Sequence, residues 1–329
     1  MPHPKRLFFL LVLWTFPVLA RGVTPAGQAG AFARMGLGAR ALAMGNAFTG
    51  LGRDAFSGYY NPASLPFMPR PELGLSIGVL SLDRSLNYIG FSTYLHPRAL
   101  PPGAVSRANE KGLRGGFAVG WINAGVQNID GRDSDGNPAG TFSNAENLFF
   151  FSFALQPYRW LAFGLTGKVV NSRFPRLLEN NKTLSASGFG YDLGVYAVPF
   201  PQLSLGLVLH DISSKYTWNT EKLWERGSTT INRFPPVLRL GAAYRLPAEA
   251  IAAFDAEFNR EQGWRFYGGL ELPYRNLFVS RIGFNADRLT FGFGLKFKVF
   301  RYQGELAYAY DSLNITPQPD QYFSWRFFF

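Results

Sequence analysis

The sequence predicts an all-β protein, a 14-stranded antiparallel transmembrane β-barrel with a short N-terminal helical plug in its lumen. Three observations lead to this fold class. Aromatic residues make up 16 % of the 329 residues, 36 residues are glycine, and there is no cysteine. Many segments alternate apolar and polar side chains, which gives a strand one lipid-compatible and one water-compatible face. Closing such a sheet into a barrel pairs all backbone groups without disulfides.

The first 20 residues have the features of a secretory signal peptide. Lys5 and Arg6 precede an apolar run over 7–13, and Ala20 is a small residue at a candidate cleavage site. A membrane anchor is the alternative, but the run is shorter than the ~20 residues that span a bilayer, and Pro17 follows it closely. We therefore expect a signal peptide at 1–20, a plug segment at 21–71 and a transmembrane barrel at 72–329.

Period-two alternation begins after Pro71 and recurs to the carboxyl terminus. In the segment 288–299, Leu289, Phe291 and Phe293 alternate with Thr290 and Gly292. The predicted strands cover 72–82, 86–96, 114–125, 146–156, 159–171, 185–198, 202–212, 236–246, 249–259, 263–273, 277–285, 288–299, 301–311 and 321–329. An even number of strands places both ends of the barrel on the periplasmic side.

The predicted connections fit this orientation. The turns around 156–158, 199–201, 246–248, 273–276 and 300 are short, as expected on the periplasmic side. Longer polar stretches at 126–145, 172–184, 213–235 and 312–320 are predicted outer loops. The stretch 97–113 breaks the rule, because it is a long connection on the periplasmic side.

The net charge restricts the expected partners. It is +11, and removing Lys5 and Arg6 with the signal peptide leaves +9. An exported protein does not ordinarily meet nucleic acid, whereas anionic lipid headgroups and lipopolysaccharide surround an outer-membrane barrel. We expect outer-membrane lipid, lipopolysaccharide and the assembly machinery as partners, and an integral, multi-pass location in the bacterial outer membrane.

Alternation also predicts which charged side chains point into the lumen. The candidates are Lys168, Arg239, Asp255, Glu257, Glu271, Lys296, Glu305 and Arg326. Confined charges usually pair, so these residues are expected to form ion-pair networks that hold the plug, with a polar conduit as the alternative. An apolar site beside the plug would use Phe32, Met35, Leu42, Met44 and Phe48, although residues at helical spacing are more often simply packing.

The segment 36–65 contains a distinctive motif. Its marked positions are Gly36, Gly38, Arg40, Met44, Gly45, Asp54, Asn61 and Pro62. Their order, Gly-Ala-Arg-Ala, Met-Gly, Asp-Ala and Asn-Pro-Ala-Ser-Leu, resembles the PorV/PorQ family of outer-membrane proteins, a branch of the FadL-like barrels. Independently of the resemblance, small residues allow close packing in a narrow lumen, and Asn61-Pro62 favours an extended turn before strand one.

The resemblance implies a type IX secretion accessory that binds exported cargo or the translocon. The alternative is a FadL-like outer-membrane transporter of hydrophobic small molecules. Neither interpretation requires a cofactor or a metal. The sequence around Asp133, Asp135 and Asn137 lacks the full calcium-loop pattern. The two histidines that remain after removal of the signal peptide, His96 and His210, have no catalytic constellation beside them, so we predict a non-enzymatic protein.

The last segment has the pattern of a carboxy-terminal assembly signal. Phe323, Trp325, Phe327 and Phe329 are predicted to face lipid, while Ser324 and Arg326 face the lumen. The final strand is then the partner of the first strand and closes the barrel.

Overall fold

The computed structural model describes residues 27–95, 114–175, 183–220, 227–275, 277–299, 302–312 and 318–329. Its strands are β1 (Glu72–Leu80), β2 (Arg84–Leu95), β3 (Arg114–Arg132), β4 (Pro138–Tyr158), β5 (Leu161–Phe174), β6 (Leu184–Phe200), β7 (Leu203–Ile212), β8 (Lys215–Asn219), β9 (Thr229–Arg233), β10 (Val237–Arg245), β11 (Ile251–Asn259), β12 (Gly263–Tyr274), β13 (Phe278–Asn285), β14 (Arg288–Val299), β15 (Tyr302–Asp311) and β16 (Asp320–Phe328). The signal peptide and the stretch 97–113 lie outside the described residues.

The sheet closes into the predicted 14-stranded antiparallel barrel. Each wall strand pairs with its neighbours in sequence, β7 pairs with β10, and β16 pairs with β1 from Glu72↔Phe328 to Val79↔Gln321. The short strands β8 and β9 form an outer hairpin that continues β7 and β10. All wall pairings are antiparallel and sequential, so the predicted fold class is confirmed.

Two predicted outer loops contain regular strand structure. The stretch 126–145 forms most of a long hairpin between β3 and β4, with pairs such as Ile129↔Phe142, and the stretch 213–235 contains β8 and β9. These hairpin extensions are mostly exposed on both faces. Because both faces of β9 and of most of the β3–β4 hairpin meet water, these parts lack the apolar alternation that identifies the wall strands, whereas β8 buries Tyr216.

The wall strands separate apolar and polar side chains as expected. On β4, Phe149, Phe151 and Phe153 are 52 %, 54 % and 41 % exposed, whereas the intervening Ser152 is fully buried. A soluble protein would bury such a row of phenylalanines. The exposed row is the face that a bilayer would cover.

The N-terminal segment, residues 27–71, lies inside the barrel. It contains α1 (Ala39–Ala43), α2 (Ser57–Tyr60) and two 3-10 helices, Ala31–Arg34 and Pro62–Phe67. The 3-10 helix Ala31–Arg34 and α1 are short, and Gly36 and Gly38 lie between them. No helix in the described ranges has the length and hydropathy to span a bilayer.

The N-terminal segment runs from one end of the barrel to the other. Gln28 donates to Glu261, which lies in the turn between β11 and β12 at the long-loop end. Pro71 accepts a hydrogen bond from the Phe329 N–H at the opposite, short-turn end, where the turns 159–160, 201–202 and 246–250 lie. The last strand therefore ends at Phe328, and Phe329 fastens the carboxyl terminus to the start of the barrel.

Candidate functional site

The glycines of the N-terminal motif permit backbone geometry that other residues would strain. Gly36, Gly38 and Gly45 have φ angles of 91°, 79° and 65°. At Gly45 a Cβ atom would lie 2.2 Å from the Phe284 carbonyl oxygen and 2.4 Å from that of Gly268. The motif therefore brings the segment's backbone directly against the backbone of the wall.

Met44 contributes to the same close approach. Its side chain is fully buried, and a Cβ atom added to Gly269 of β12 would lie 2.6 Å from the Met44 Cα. Phe32, Leu42 and Phe48 are also buried within the core. These apolar residues pack the segment.

A ring of arginines and carboxylates joins the segment to four wall strands. Arg40 contacts Asp54 at 3.2 Å and Glu271 at 2.8 Å. Arg281 bridges Glu271 and Glu305 at 2.7 and 2.6 Å. Arg326 closes the ring by contacting Glu305 and, at 3.3 Å, Asp54. We call this set the arginine–carboxylate ring.

The ring balances the charge of buried groups. Burial alone would lower the pKa of Arg40, but attraction to Glu271 and Asp54 outweighs it and raises the pKa well above its ordinary value. Glu72 of β1 adds a further carboxylate at 3.3 Å from Arg326. Each cation of the ring thus has at least two anionic partners, which a buried charge requires.

A second network holds the chain around residue 48. Asp255 of β11 accepts hydrogen bonds from the backbone N–H groups of Phe48 and Thr49, at 3.1 and 3.0 Å. Arg239 contacts Asp255 at 3.0 Å and Glu257 at 3.4 Å, and donates to the Asn46 carbonyl. Asp255 therefore fixes both a backbone turn and a guanidinium.

Asn61 and Pro62 fix the start of the second 3-10 helix. Asn61 has extended backbone angles (φ −156°, ψ 102°), and its side-chain oxygen accepts from Ala63 N at 3.0 Å. Its amide nitrogen donates to the carbonyls of Thr49 and Val195. The side chain thus caps the helix and also connects the segment to β6.

Two tyrosines, Tyr59 and Tyr60, stabilise the glycine-rich turn from inside. Tyr59 donates to the Ala33 carbonyl at 3.0 Å and accepts from Gly36 N at 3.2 Å. Burial raises the pKa of Tyr59 to about 12, so the hydroxyl stays protonated at neutral pH. The Tyr60 hydroxyl accepts from Leu37 N at 2.8 Å.

The two lysines predicted to face the lumen, Lys168 and Lys296, form no ion pair with the arginine–carboxylate ring. Lys168 contacts Asp192 at 2.7 Å and Asp211 at 3.0 Å, and His210 contacts Asp192 at 3.1 Å. Lys296 is half-buried and forms no ion pair with another described residue. The structure thus brings seven of the eight predicted lumen charges into ion pairs and leaves Lys296 outside them.

The wall changes between β7 and β8, at the long-loop end. Asp211 and Ser213 have φ angles near 60°, and the β7–β10 ladder stops at the pair His210↔Val237. The β8–β9 hairpin then leans over the mouth, where the Tyr216 hydroxyl donates to Glu146 of β4 at 2.9 Å. The hairpin covers the outer side of the N-terminal segment.

An aromatic cluster lies beneath this hairpin. Tyr216 packs on Phe234 with ring centroids 5.0 Å apart, and Trp218 packs on Tyr216 and Phe174 at 5.9 Å each. A Cβ atom on Gly30 would lie 2.2 Å from the Phe234 ring. We call Phe174, Tyr216, Trp218 and Phe234 the aromatic cluster.

Sequence reasoning missed Glu72 and Phe234 as functional candidates. Glu72 occupies the same alternating positions of β1 as Gly74 and Ser76, so alternation alone places its side chain on the lumen face. Phe234 lies in a predicted loop, directly before Pro235-Pro236. Two prolines before a wall strand cannot donate ladder hydrogen bonds, so they indicate that the ladder is interrupted there.

The carboxy-terminal aromatic residues lie on the predicted faces. Phe323 and Phe329 are exposed, Trp325 and Phe327 are half-buried, and Ser324 and Arg326 are buried. Their recognition by assembly machinery remains a prediction.

In the turn around Asp133, Asp135 and Asn137, the first carboxylate accepts hydrogen bonds from the backbone of the turn itself. Asp133 accepts from the backbone N–H groups of Asp135 and Asn137 at 3.0 and 2.8 Å. Within the described ranges, no group of three or more histidine or acidic side chains is arranged to hold a metal.

Several solved structures share this architecture. The Pseudomonas putida toluene transporter TodX is 14 % identical, with a TM-score of 0.58 over 89 % of this chain and 96 % of that one. The Ralstonia pickettii toluene transporter TbuX is 15 % identical, with a TM-score of 0.58 over 89 % and 98 %. A Pseudomonas aeruginosa FadL homologue is 11 % identical, with a TM-score of 0.54 over 85 % and 95 %.

Sequence comparison adds no closer relationship. No protein-family model matches the chain, and no curated protein matches it. The PorV/PorQ resemblance of the N-terminal motif therefore remains a prediction. At these identities the structural likeness establishes the fold alone, which is the fold of the FadL-type barrels.

Proposed function

We propose that this chain is an outer-membrane transporter that admits hydrophobic small molecules past the N-terminal segment. The exposed phenylalanine rows and the predicted signal peptide support the location. Two solved barrels of the same fold are described as toluene transporters. This favours transport over the secretion role that the N-terminal motif first suggested.

The observation that carries the proposal is the aromatic cluster under the β8–β9 hairpin. Phe234 and Tyr216 are almost fully buried, and Phe32 of the N-terminal segment belongs to the same apolar core. Most of the outer hairpin β3–β4 is polar, so an apolar site at this end is unusual. A hydrophobic molecule that enters beneath the hairpin would meet aromatic surface first.

The hairpin is the proposed cover of the entry route. Among the residues that the structure describes, it pairs with β6 at two positions, Ala186↔Trp218 and Ser187↔Thr217. The neighbouring ladders β5–β6 and β10–β11 are continuous over many residues. Few backbone pairs therefore hold the hairpin to the wall, and we expect it to separate more readily than the continuous wall ladders.

A reversible crosslink tests this route, because the chain has no cysteine of its own. Ser187→Cys and Thr217→Cys occupy directly paired positions, a geometry that a disulfide can bridge. Uptake of radiolabelled toluene by cells that express the protein should exceed that of cells with an empty vector. The crosslinked variant should lose this excess and regain it after reduction.

A matched crosslink between Tyr308→Cys and Phe323→Cys, paired positions of β15 and β16, controls for crosslinking itself. It should leave uptake unchanged. No excess uptake by the unmodified protein would refute the transport function. Equal uptake by the oxidised and reduced hairpin variant would refute the entry route.

A second candidate is a PorV/PorQ-like accessory of type IX secretion. The N-terminal motif and the β3–β4 hairpin, which projects beyond the barrel, favour it. In this role the hairpins at 126–145 and 213–235 would contact secreted cargo or the translocon. Affinity purification of the tagged protein from its host would retain cargo proteins with carboxy-terminal signals, and their absence would remove this candidate.

A further inference from the structure

A cleft of about 240 Å³ opens at the short-turn end of the lumen. It lies between the N-terminal segment, at Leu51, Arg53 and Phe67, and the inner wall, at Ser204 and Ala243. It is separate from the aromatic cluster, which lies at the long-loop end. The cleft is thus on the periplasmic side of the N-terminal segment.

The arginine charge of the cleft is not balanced by carboxylates in the way that the charge of the other lumen arginines is. Arg40 borders it, but Glu271 and Asp54 neutralise Arg40. Arg53 and Arg245 also line it, and neither forms an ion pair with a described acidic residue. Within the described lumen, the other arginines, Arg239, Arg265, Arg281 and Arg326, all have carboxylate partners.

Arg53 is held in place by neutral groups. Its Nε donates to the Tyr196 hydroxyl at 3.0 Å. Its guanidinium carbon lies 5.6 Å from the centroid of the Tyr196 ring and 5.9 Å from that of the Phe67 ring. Tyr196 is itself fixed, because its hydroxyl donates to the Gly50 carbonyl at 2.9 Å. The terminal nitrogens of Arg53 have no acceptor among the described residues, so a positioned guanidinium remains available for an anion.

Apart from its arginines, Gln202 and Ser204, the cleft is lined by apolar residues. Leu51, Phe67, Pro69, Leu203, Ala243 and Ile251 line it. An inorganic anion would leave this surface exposed to water, whereas a small organic acid would cover it and place its carboxylate beside the guanidinium groups. The volume is below the ~300 Å³ of drug-sized sites, which fits a ligand about the size of benzoate.

We infer that this cleft binds a small hydrophobic carboxylate, an aromatic or short aliphatic acid, through Arg53 and Arg245. The inference rests on the proposed function in one respect, because it adds small organic acids to the hydrophobic molecules that the lumen would admit. Binding itself does not depend on transport. It can therefore be measured on purified protein, so that its failure is distinct from a failure of uptake.

The experiment uses the purified full chain in a neutral detergent and follows 4-fluorobenzoate by fluorine NMR. The matched neutral probe is 4-fluorobenzyl alcohol, and inorganic phosphate is the competitor. The variants are Arg53→Gln and Arg245→Gln. The control is Arg275→Gln, which removes a charge from the turn after β12 and lies outside the cleft. Heat-modifiable gel migration verifies that each variant forms a barrel.

We expect the Kd for 4-fluorobenzoate to rise at least tenfold in Arg53→Gln, to rise severalfold in Arg245→Gln, and to stay unchanged in Arg275→Gln. The alcohol should bind at least tenfold more weakly than the acid. Equal binding of the alcohol and the acid would overturn the role of the arginines. Full displacement of 4-fluorobenzoate by low-millimolar phosphate would overturn the contribution of the apolar lining to binding. If Arg53→Gln does not assemble, Arg245→Gln decides, since Arg245 lies exposed at the end of β10. An unchanged Kd in Arg245→Gln would then refute the site.

Discussion

Arg40 of the N-terminal segment and Glu271 of β12 form a bidentate ion pair. The Arg40 Nε and Nη2 atoms lie 2.8 and 2.9 Å from the two Glu271 oxygens. The two residues are separated by 231 positions in sequence. Two parallel hydrogen bonds of this kind fix orientation as well as distance. This pair therefore fixes how the segment is oriented relative to β12.

The first prediction concerns the replacement Arg40→Gln. It removes the cation but leaves Glu271 and Asp54 buried, with Arg281 and Arg326 as their remaining partners. Breaking a buried pair costs about 3–5 kcal/mol, and we expect the lower end because those partners remain. Urea unfolding of the barrel in lipid vesicles measures the change in the free energy of unfolding.

Arg132→Gln is the matched control for this prediction. Arg132 also pairs with an acid, Asp130, at 2.8 Å, but the two side chains are 58 % and 61 % exposed. Exposed pairs contribute little, so the free energy of unfolding should hardly change. Equal effects of the two variants would show that the arginine–carboxylate ring does not stabilise the protein.

The second prediction concerns the replacement Gly45→Ala. The added Cβ would overlap the Phe284 carbonyl oxygen at 2.2 Å, and the φ of 65° disfavours alanine. The segment can relieve this overlap only by moving away from the wall. We expect the barrel to assemble and its single-channel conductance in planar bilayers to rise.

Gly27→Ala provides the comparison for Gly45→Ala. Gly27 has a similar positive φ of 83°, but nothing lies within 4 Å of the added Cβ. Its conductance should equal that of the unmodified protein. A conductance unaffected by Gly45→Ala would mean that the segment does not limit passage through the lumen.

Alternation in the sequence was sufficient to predict the barrel and the inward direction of its charges. Asp255, Glu271, Glu305 and Arg326 lie in the lumen because their parity along a strand is fixed by the apolar residues on either side. Which partner each one meets depends on register between distant strands. That information is absent from the pattern within any single strand.

Lys296 shows the limit of the parity argument. It lies directly across from Glu305 in the β14–β15 ladder. Glu305 is already engaged by Arg281 and Arg326, which approach from β13 and β16. A carboxylate that two guanidinium groups surround leaves little space for a third cation. Competition of this kind appears only in the three-dimensional structure.

The β8–β9 hairpin was missed for a different reason. Its two strands have five residues each, and β9 is exposed along its whole length. The alternation is therefore limited to Tyr216 and Trp218, which is too short to identify a strand. Phe234 was treated as part of a loop, although it is among the most buried aromatic side chains at that end.

The third prediction concerns the replacement Asp255→Asn. Asp255 accepts the N–H groups of Phe48 and Thr49 and also contacts Arg239. Hydrogen bonds to a charged acceptor contribute about 1.5–3 kcal/mol each, and a neutral amide is a weaker acceptor. Amide exchange at Phe48 and Thr49 should accelerate by roughly tenfold, as measured by hydrogen–deuterium exchange.

Glu257→Gln separates this local effect from a general loss of charge. Glu257 contacts Arg239 at 3.4 Å and Tyr267 at 3.1 Å, and no backbone N–H of the segment donates to it. Exchange at Phe48 and Thr49 should stay close to that of the unmodified protein. If both variants accelerated it equally, Asp255 would not be the specific anchor of this turn.

The last prediction concerns deletion of Phe328 and Phe329. The Phe328 ring packs under the Arg70 guanidinium at 3.6 Å, and the Phe329 N–H donates to the Pro71 carbonyl at 3.1 Å. These contacts join the carboxyl terminus to the start of β1, so the deletion removes both the terminal aromatic residue and part of the closing seam. We expect the heat-modifiable, assembled fraction in cell membranes to fall severalfold.

Two comparisons distinguish recognition of the carboxyl terminus from stability of the seam. Phe329→Ala keeps the backbone hydrogen bond to Pro71 and removes only an aromatic ring that is 61 % exposed. If assembly machinery reads the terminal aromatic, this variant should assemble poorly in cells yet refold normally as a purified chain in detergent. Phe291→Ala, which removes an exposed ring from the middle of β14, should assemble normally. Normal assembly of Phe329→Ala together with poor refolding of the deletion would assign these residues to closure of the barrel alone.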